Sequence, residues 1–118
     1  MRGIGIDMLD IGRMERPMRS PRFVERVFTE GERRYLESRT KNKGSRAYIE
    51  CAAGLFCAKE AVTKALGVGL LSVPLHSVEI VHEPGGRPAV LLHAPLSGRV
   101  HLTITHTASV AAAAAVWE

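Results

Sequence analysis

Aromatic residues are scarce in this sequence: three Phe, two Tyr and one Trp make up 5% of its 118 residues. Surfaces that stack single-stranded nucleic acid interleave aromatic rings with cations, and no such interleaving marks a base-stacking surface here. Cysteine is nearly absent too. Cys51 and Cys57 stand six apart in a predicted helix, on different sides of it, which excludes a mutual disulfide and leaves two small buried hydrophobes. No Cys/His spacing suited to a metal is present. No apolar run approaches the length needed to span a bilayer, and the N-terminus has no long apolar stretch. No membrane role follows, and a cytoplasmic enzyme is the default expectation. There is no internal repeat, and the only low-complexity stretch is Ala111 to Ala115.

What is abundant is small aliphatic side chain. Hydrophobic residues reach 46% with a mean hydropathy of +0.02, mostly as Ala, Val, Leu and Ile. The length predicts one domain over residues 1–118 with a modest core. So apolar a composition in so small a chain suggests burial of part of its surface against another copy. The net charge of +4 suits an acidic partner: nucleic acid, anionic membrane or acidic protein. Cations concentrate early, in Arg13, Arg16, Arg19, Arg22, Arg26, Arg33, Arg34, Arg39, Lys41, Lys43 and Arg46. Taken alone, they make a solvated basic face.

The hydrophobic periodicity predicts a strand over about residues 3–11, a short helix near 22–28 and another from Thr29 to about Ser38. Thr29-Glu30-Gly31-Glu32 has the capping-box pattern that opens such a helix. Ser45 is a reasonable N-cap for a long helix ending at Leu66, with Gly67 placed to stop it. Val78–Val81, Ala89–Leu92, Val100–Thr105 and Val110–Val116 read as strands, with Gly85-Gly86 as a hairpin turn. The expected class is α+β: a mostly antiparallel sheet packed on one long helix.

Three features carry chemistry. The long helix is largely apolar yet includes Lys59, Glu60 and Lys64, and an acid there is costly to bury unless a cation or metal answers it. Glu60 and Lys64 share a face, so both can reach one charged ligand. On its own, such a pair is also an ordinary helix-stabilising contact of about 0.2–0.5 kcal/mol. The first strand contains Asp7, a residue depleted in strands, which could simply start a turn. Paired with a helix carboxylate, it could instead complete a two-ligand site for a hard cation such as Mg²⁺. At the end of the strand Val100-His101-Leu102-Thr103-Ile104-Thr105 stands His106, followed by Thr107. It is either a partly exposed polar residue or, with the flanking hydroxyls, a donor to phosphate.

Gly-Ile-Asp on the first strand, Phe-Cys-Ala-Lys-Glu-Ala-Val-Thr-Lys-Ala-Leu-Gly on the long helix and Thr-Ile-Thr-His-Thr near the end occur in order along the chain. Together with Arg22-Phe23-Val24-Glu25-Arg26-Val27-Phe28-Thr29 and the turn Gly85-Gly86-Arg87-Pro88, they resemble the holo-[acyl-carrier-protein] synthases. These form the short, single-repeat branch of the 4′-phosphopantetheinyl transferases. The resemblance implies that fold, a homotrimer with coenzyme A in clefts between subunits, and transfer of phosphopantetheine from coenzyme A to a serine of apo acyl carrier protein. It implies Asp7 and Glu60 as Mg²⁺ ligands, Lys64 beside the pyrophosphate, and His106 with Thr107 at the coenzyme A phosphates. Glu60 and Lys64 become the catalytic pair; the base is Glu60 or a metal-bound water. Arg13, Arg22, Phe23 and Arg26 become the docking face for an acidic carrier, of fatty-acid or polyketide synthesis. Two positions depart from the family pattern: Leu55 stands where Arg is common, and Val68 where Thr is common. Two other classes share the same residues: a metal-dependent phosphohydrolase, and a coenzyme A or nucleotide-binding module without turnover.

Overall fold

In the computed structural model, which describes residues 1–69 and 73–118, the long helix organises everything else. This helix, α3, spans Arg46–Leu66. The Ser45 side chain accepts from Tyr48 N at its start, and Gly67 ends it in the left-handed region at φ 70°. Its inner face is built of small side chains: Ala52, Ala53, Ala58, Ala61 and Ala65 are all buried.

The helix rests on a three-stranded antiparallel sheet. The strands are β1 (Gly3–Asp10), β4 (Val100–His106) and β5 (Val110–Trp117), in the order β1-β5-β4. Alternation places Ala111, Ala113 and Ala115 of β5 against the helix, all buried. Gly5 of β1 lies closer still, since a Cβ built there would stand 2.1 Å from Ala61 O and 2.7 Å from Ala65 N. The alanine run is therefore the floor of a tightly apposed helix–sheet contact. In register, Asp7 opposes Ala113, and Ala113 opposes Ile104 on its other side.

The remaining strands form a separate hairpin. β2 (Val78–His82) pairs antiparallel with β3 (Pro88–Leu92) around the Gly85-Gly86 turn, where both glycines have positive φ. The expected α+β arrangement of antiparallel strands on one long helix is present, and among the described residues its hydrogen-bonded ladders divide between β3 and β4, although the strands lie side by side. Helices α1 (Pro21–Val27) and α2 (Glu30–Arg39) close the other flank. The Thr29–Glu32 capping box is formed in full, with Thr29 Oγ1 accepting from Glu32 N at 3.1 Å and Glu32 Oε1 from Thr29 N at 2.9 Å. Residues Ile11–Met14 and Pro17–Arg19 make 3₁₀ turns whose Ile11, Met14 and Met18 enter the core.

Cys51 and Cys57 are free thiols, but only Cys57 is fully buried; Cys51 is half-exposed beside a cleft, which corrects the reading of both as core residues. No described helix is long and apolar enough to cross a membrane.

Because the obstacle at Gly5 is backbone, Gly5→Ala should destabilise the protein by about 3 kcal/mol, the upper end for overpacking. Gly12→Ala, where the added Cβ meets nothing within 4 Å, should leave stability nearly unchanged. Urea unfolding of the two variants checks both; equal midpoints would contradict the close approach.

Candidate active site

Asp7 faces the helix because it continues the inward alternation of Gly3 and Gly5. Its side chain is 12% exposed. Lys64 crosses from the last turn of α3 to meet it: Lys64 Nζ stands 3.0 Å from Asp7 Oδ1 and 3.0 Å from Ile6 O. The lysine therefore bonds to the strand, in contrast to the intrahelical Glu60–Lys64 pairing that the spacing allows.

Glu60, one turn before Lys64, points into the same space. Burial pushes its carboxyl up, the adjacent Asp7 carboxylate pushes it further, and Lys64 opposes both. Behind them lies the wholly buried Cys57, whose Sγ donates to Ala111 O at 3.5 Å. Burial first, then the Asp7 and Glu60 charges, push this thiol up to about 12, so it stays protonated. Two carboxylates thus face one another, with one lysine bonded to Asp7 beside them. That donor set fits a hard divalent cation, for which one or two carboxylates plus water and phosphate oxygens are the usual complement. No group of three His, Cys, Asp or Glu suited to a metal occurs among the described residues, so the protein offers a partial shell.

His106 sits elsewhere on the same sheet. It ends β4 on the helix-facing side, exposed, with Nδ1 at 3.0 Å from Thr107 O. It lines a cleft of about 360 Å³ with Gly54 and Leu55 of α3, Gly86 and Pro88 of the hairpin, and Ile104. Thr107 is exposed, and its hydroxyl accepts from Ser109 N at 3.2 Å and Val110 N at 3.0 Å. It shapes the β4–β5 turn. Leu55 is 2% exposed, packed into the core at the cleft floor.

The docking candidates gather on another flank. Arg13 lies in the first 3₁₀ turn, and Arg22 and Arg26 on α1; all three are exposed. Phe23 is only half-exposed and tilts against Phe56, with ring centroids 6.4 Å apart. It anchors α1 to α3.

Two sets of residues escaped sequence reasoning. His82 belongs to no motif in the sequence, yet it lines the same cleft as His106 and stacks on Tyr35 at 3.8 Å. Its position just before the Gly85-Gly86 turn was the available signal. Lys59 and Glu32 form a wholly buried ion pair, Nζ to Oε1 2.7 Å. A lysine embedded among Cys57, Ala58, Ala61 and Val62 was its signal, but nothing local named the partner.

The 4′-phosphopantetheinyl transferase superfamily model matches residues 3–115. The chain belongs to that superfamily. A holo-[acyl-carrier-protein] synthase of Listeria monocytogenes is 43% identical over 120 residues, covering 100% of this chain and 98% of the relative. A solved holo-[acyl-carrier-protein] synthase of Bacillus anthracis, in complex with CoA (3′,5′-ADP), superposes with a TM-score of 0.85 at 33% identity; the match covers 99% of this chain and 96% of that one. The Helicobacter pylori synthase, solved with coenzyme A, gives 0.82 at 27% identity over 98% and 99% of the two chains. This phosphopantetheinyl transferase thus matches those relatives over nearly their whole length, in an α+β fold.

A carboxyl raised in the folded chain holds its proton more firmly there than in the unfolded chain. Its ionisation therefore costs stability once pH rises above the ordinary carboxylate range. Without added metal, Glu60→Gln should melt several degrees above the unaltered protein at neutral pH. The difference should close as pH falls into the ordinary range of about 4–5. Calorimetry across that interval checks the sign, and a lower melting temperature at neutral pH would contradict it.

Proposed function

We propose that this transferase moves the 4′-phosphopantetheine group of coenzyme A onto a serine of an apo acyl carrier protein, releasing 3′,5′-ADP, with Mg²⁺ held by Asp7 and Glu60. The observation that carries the reading is the convergence of Asp7, Glu60 and Lys64 from β1 and α3 at one partly solvated point. The relatives' names, and the coenzyme A bound in two of their structures, support the choice of substrates.

In the reaction the serine oxygen bonds to the phosphorus that bears the pantetheine arm, and that phosphorus separates from the oxygen of the 3′,5′-ADP portion. Mg²⁺ would supply positive charge to the pyrophosphate oxygens as that bond breaks. Lys64, 54% exposed at its side chain and anchored through Asp7, holds an ammonium where the pyrophosphate would lie. Glu60, facing Asp7 at the same point, or a water on the metal it would hold, is the group placed to take the serine proton. His106 presents its free ring edge to the cleft for the coenzyme A phosphates, and the Thr107 hydroxyl sets the turn that holds it there.

The exposed cations Arg13, Arg22 and Arg26 form the proposed carrier-docking face, with Phe23 fixing the helix that bears two of them. Attraction to an acidic carrier across such a face weakens as salt screens it. A homotrimer is supported by the outer face of the sheet. Ile4, Ile6 and Met8 are 61%, 62% and 67% exposed on β1, beside the outward Val110, Ala112, Ala114 and Val116 of β5. So continuous an apolar face calls for a partner, and copies of this chain packed there would cover it. The cytoplasm is the proposed compartment, since two free thiols suit reducing conditions.

Intact-mass spectrometry of an apo carrier incubated with coenzyme A and Mg²⁺ tests the reaction. A phosphopantetheine mass gain that EDTA abolishes is the expected result. Coenzyme A cleavage without a carrier would instead mark a hydrolase, and binding without mass gain a module lacking turnover. Asp7→Ala and Glu60→Ala should each lower the rate about 100-fold or more, while His106→Ala should chiefly raise KM for coenzyme A, by about tenfold. Near-normal rates in the carboxylate variants would remove them from the metal site. Light scattering of Ile6→Glu should show monomers where the unaltered chain gives trimers; an unchanged mass would move the interface off this face.

A further inference from the structure

The buried pair Lys59–Glu32 stands outside the chemistry described above, although Lys59 immediately precedes Glu60. Both side chains are 0% exposed. Glu32 Oε1 accepts from Lys59 Nζ at 2.7 Å and from Thr29 N at 2.9 Å, and Oε2 accepts from Ile80 N at 2.7 Å. Lys59 Nζ donates also to Val78 O at 2.7 Å. Burial pulls the Lys59 ammonium below its usual range, and the Glu32 carboxylate opposes that. Thr29 Oγ1 donates to Glu79 Oε2 at 2.9 Å, and Glu79 Oε1 meets His93 Nε2 at 2.9 Å, so the network runs out to the surface.

Val78 O and Ile80 N point off one edge of β2, the edge turned from β3. A charged pair thus occupies the place where a further strand would satisfy those groups. Stability alone is a poor reason for such a pair, because two apolar side chains of similar volume often serve as well or better. What the pair does, and an apolar contact cannot, is fix three elements at bonded distances around one carboxylate: α2 through Thr29, α3 through Lys59, β2 through Ile80. The same elements wall the His106 cleft, with Tyr35 and Arg39 from α2, Gly54 and Leu55 from α3, and His82 from β2, extended by Gly86 of the turn.

We propose that Lys59 and Glu32 are positioning residues whose buried ion pair, by pinning α2, α3 and β2 to one point, sets the width of the cleft for coenzyme A. This rests on reading that cleft as the coenzyme A site. The pair touches no reacting group; it acts on affinity through the walls.

Lys59→Met alone strands a buried carboxylate and tests folding more than position. The informative variant is Lys59→Met with Glu32→Gln, which removes both charges while Gln keeps the capping box. Melting temperature, steady-state kinetics with apo carrier, and calorimetric titration with coenzyme A should be measured on the double variant and the unaltered protein. Expected are a folded double variant, KM and Kd for coenzyme A raised at least about tenfold, and kcat within about threefold. Unchanged KM and Kd, with or without a lower melting temperature, would overturn the proposal and leave the pair purely structural. So would a failure to fold, since the charges would then be needed for the fold itself. If the unaltered protein transfers nothing to any carrier yet binds coenzyme A, the functional reading fails, and the titration alone decides the positioning claim. If it binds no coenzyme A, the positioning claim is overturned with it.

Discussion

The closeness of α3 to the sheet governs this molecule. Gly5 leaves no room for even a methyl group before Ala61 O, and Ala111, Ala113 and Ala115 present the least bulk that still counts as a core. Larger residues would pack as much apolar area but would hold helix and strand farther apart. Only at this separation can Lys64 reach both Ile6 O and Asp7, and only then do the carboxylates of Asp7 and Glu60 enter each other's field. Small side chains in the core are thus the reason charged ones can meet at its edge.

Two kinds of charge pairing sit on the same helix and answer to different physics. Asp7, Glu60 and Lys64 stay partly solvated and are incomplete as a set; on the proposed reading they would receive a cation and an anionic substrate. Lys59 and Glu32 are dry and mutually satisfied, and their bonds go to backbone atoms of β2 and of the α2 cap. One pairing is open toward solvent and the other closed toward the fold. Their adjacency at residues 59 and 60 follows from helical geometry, since consecutive residues point about 100° apart.

Helix ends, strands, the capping box and the hairpin turn were all legible in the chain, because each depends on contacts a few residues long. The Thr29–Glu32 box illustrates both the reach and the limit of such reading. Its local role was plain from the Thr-x-x-Glu spacing, but its second role, as the acceptor for Lys59 27 residues away, was not. His82 shows the same limit. Its place before the turn was visible, while the stacking on Tyr35 needed α2 to be laid against the hairpin.

By itself, the sequence determined the helices and strands, and the resemblance through which Asp7, Glu60, Lys64 and His106 stood out. These rest on periodicity, on backbone conformational preference and on ordered motifs, all of which are properties of the chain in one dimension. Tertiary structure alone decided that Lys64 bonds to the strand rather than to Glu60, and that the Thr107 hydroxyl is committed to a turn. It also decided that the strands divide into two ladders and that Phe23 faces inward against Phe56. Each of these depends on distances between segments far apart in the chain, and burial and hydrogen-bond satisfaction, which set those distances, are settled only when the segments pack.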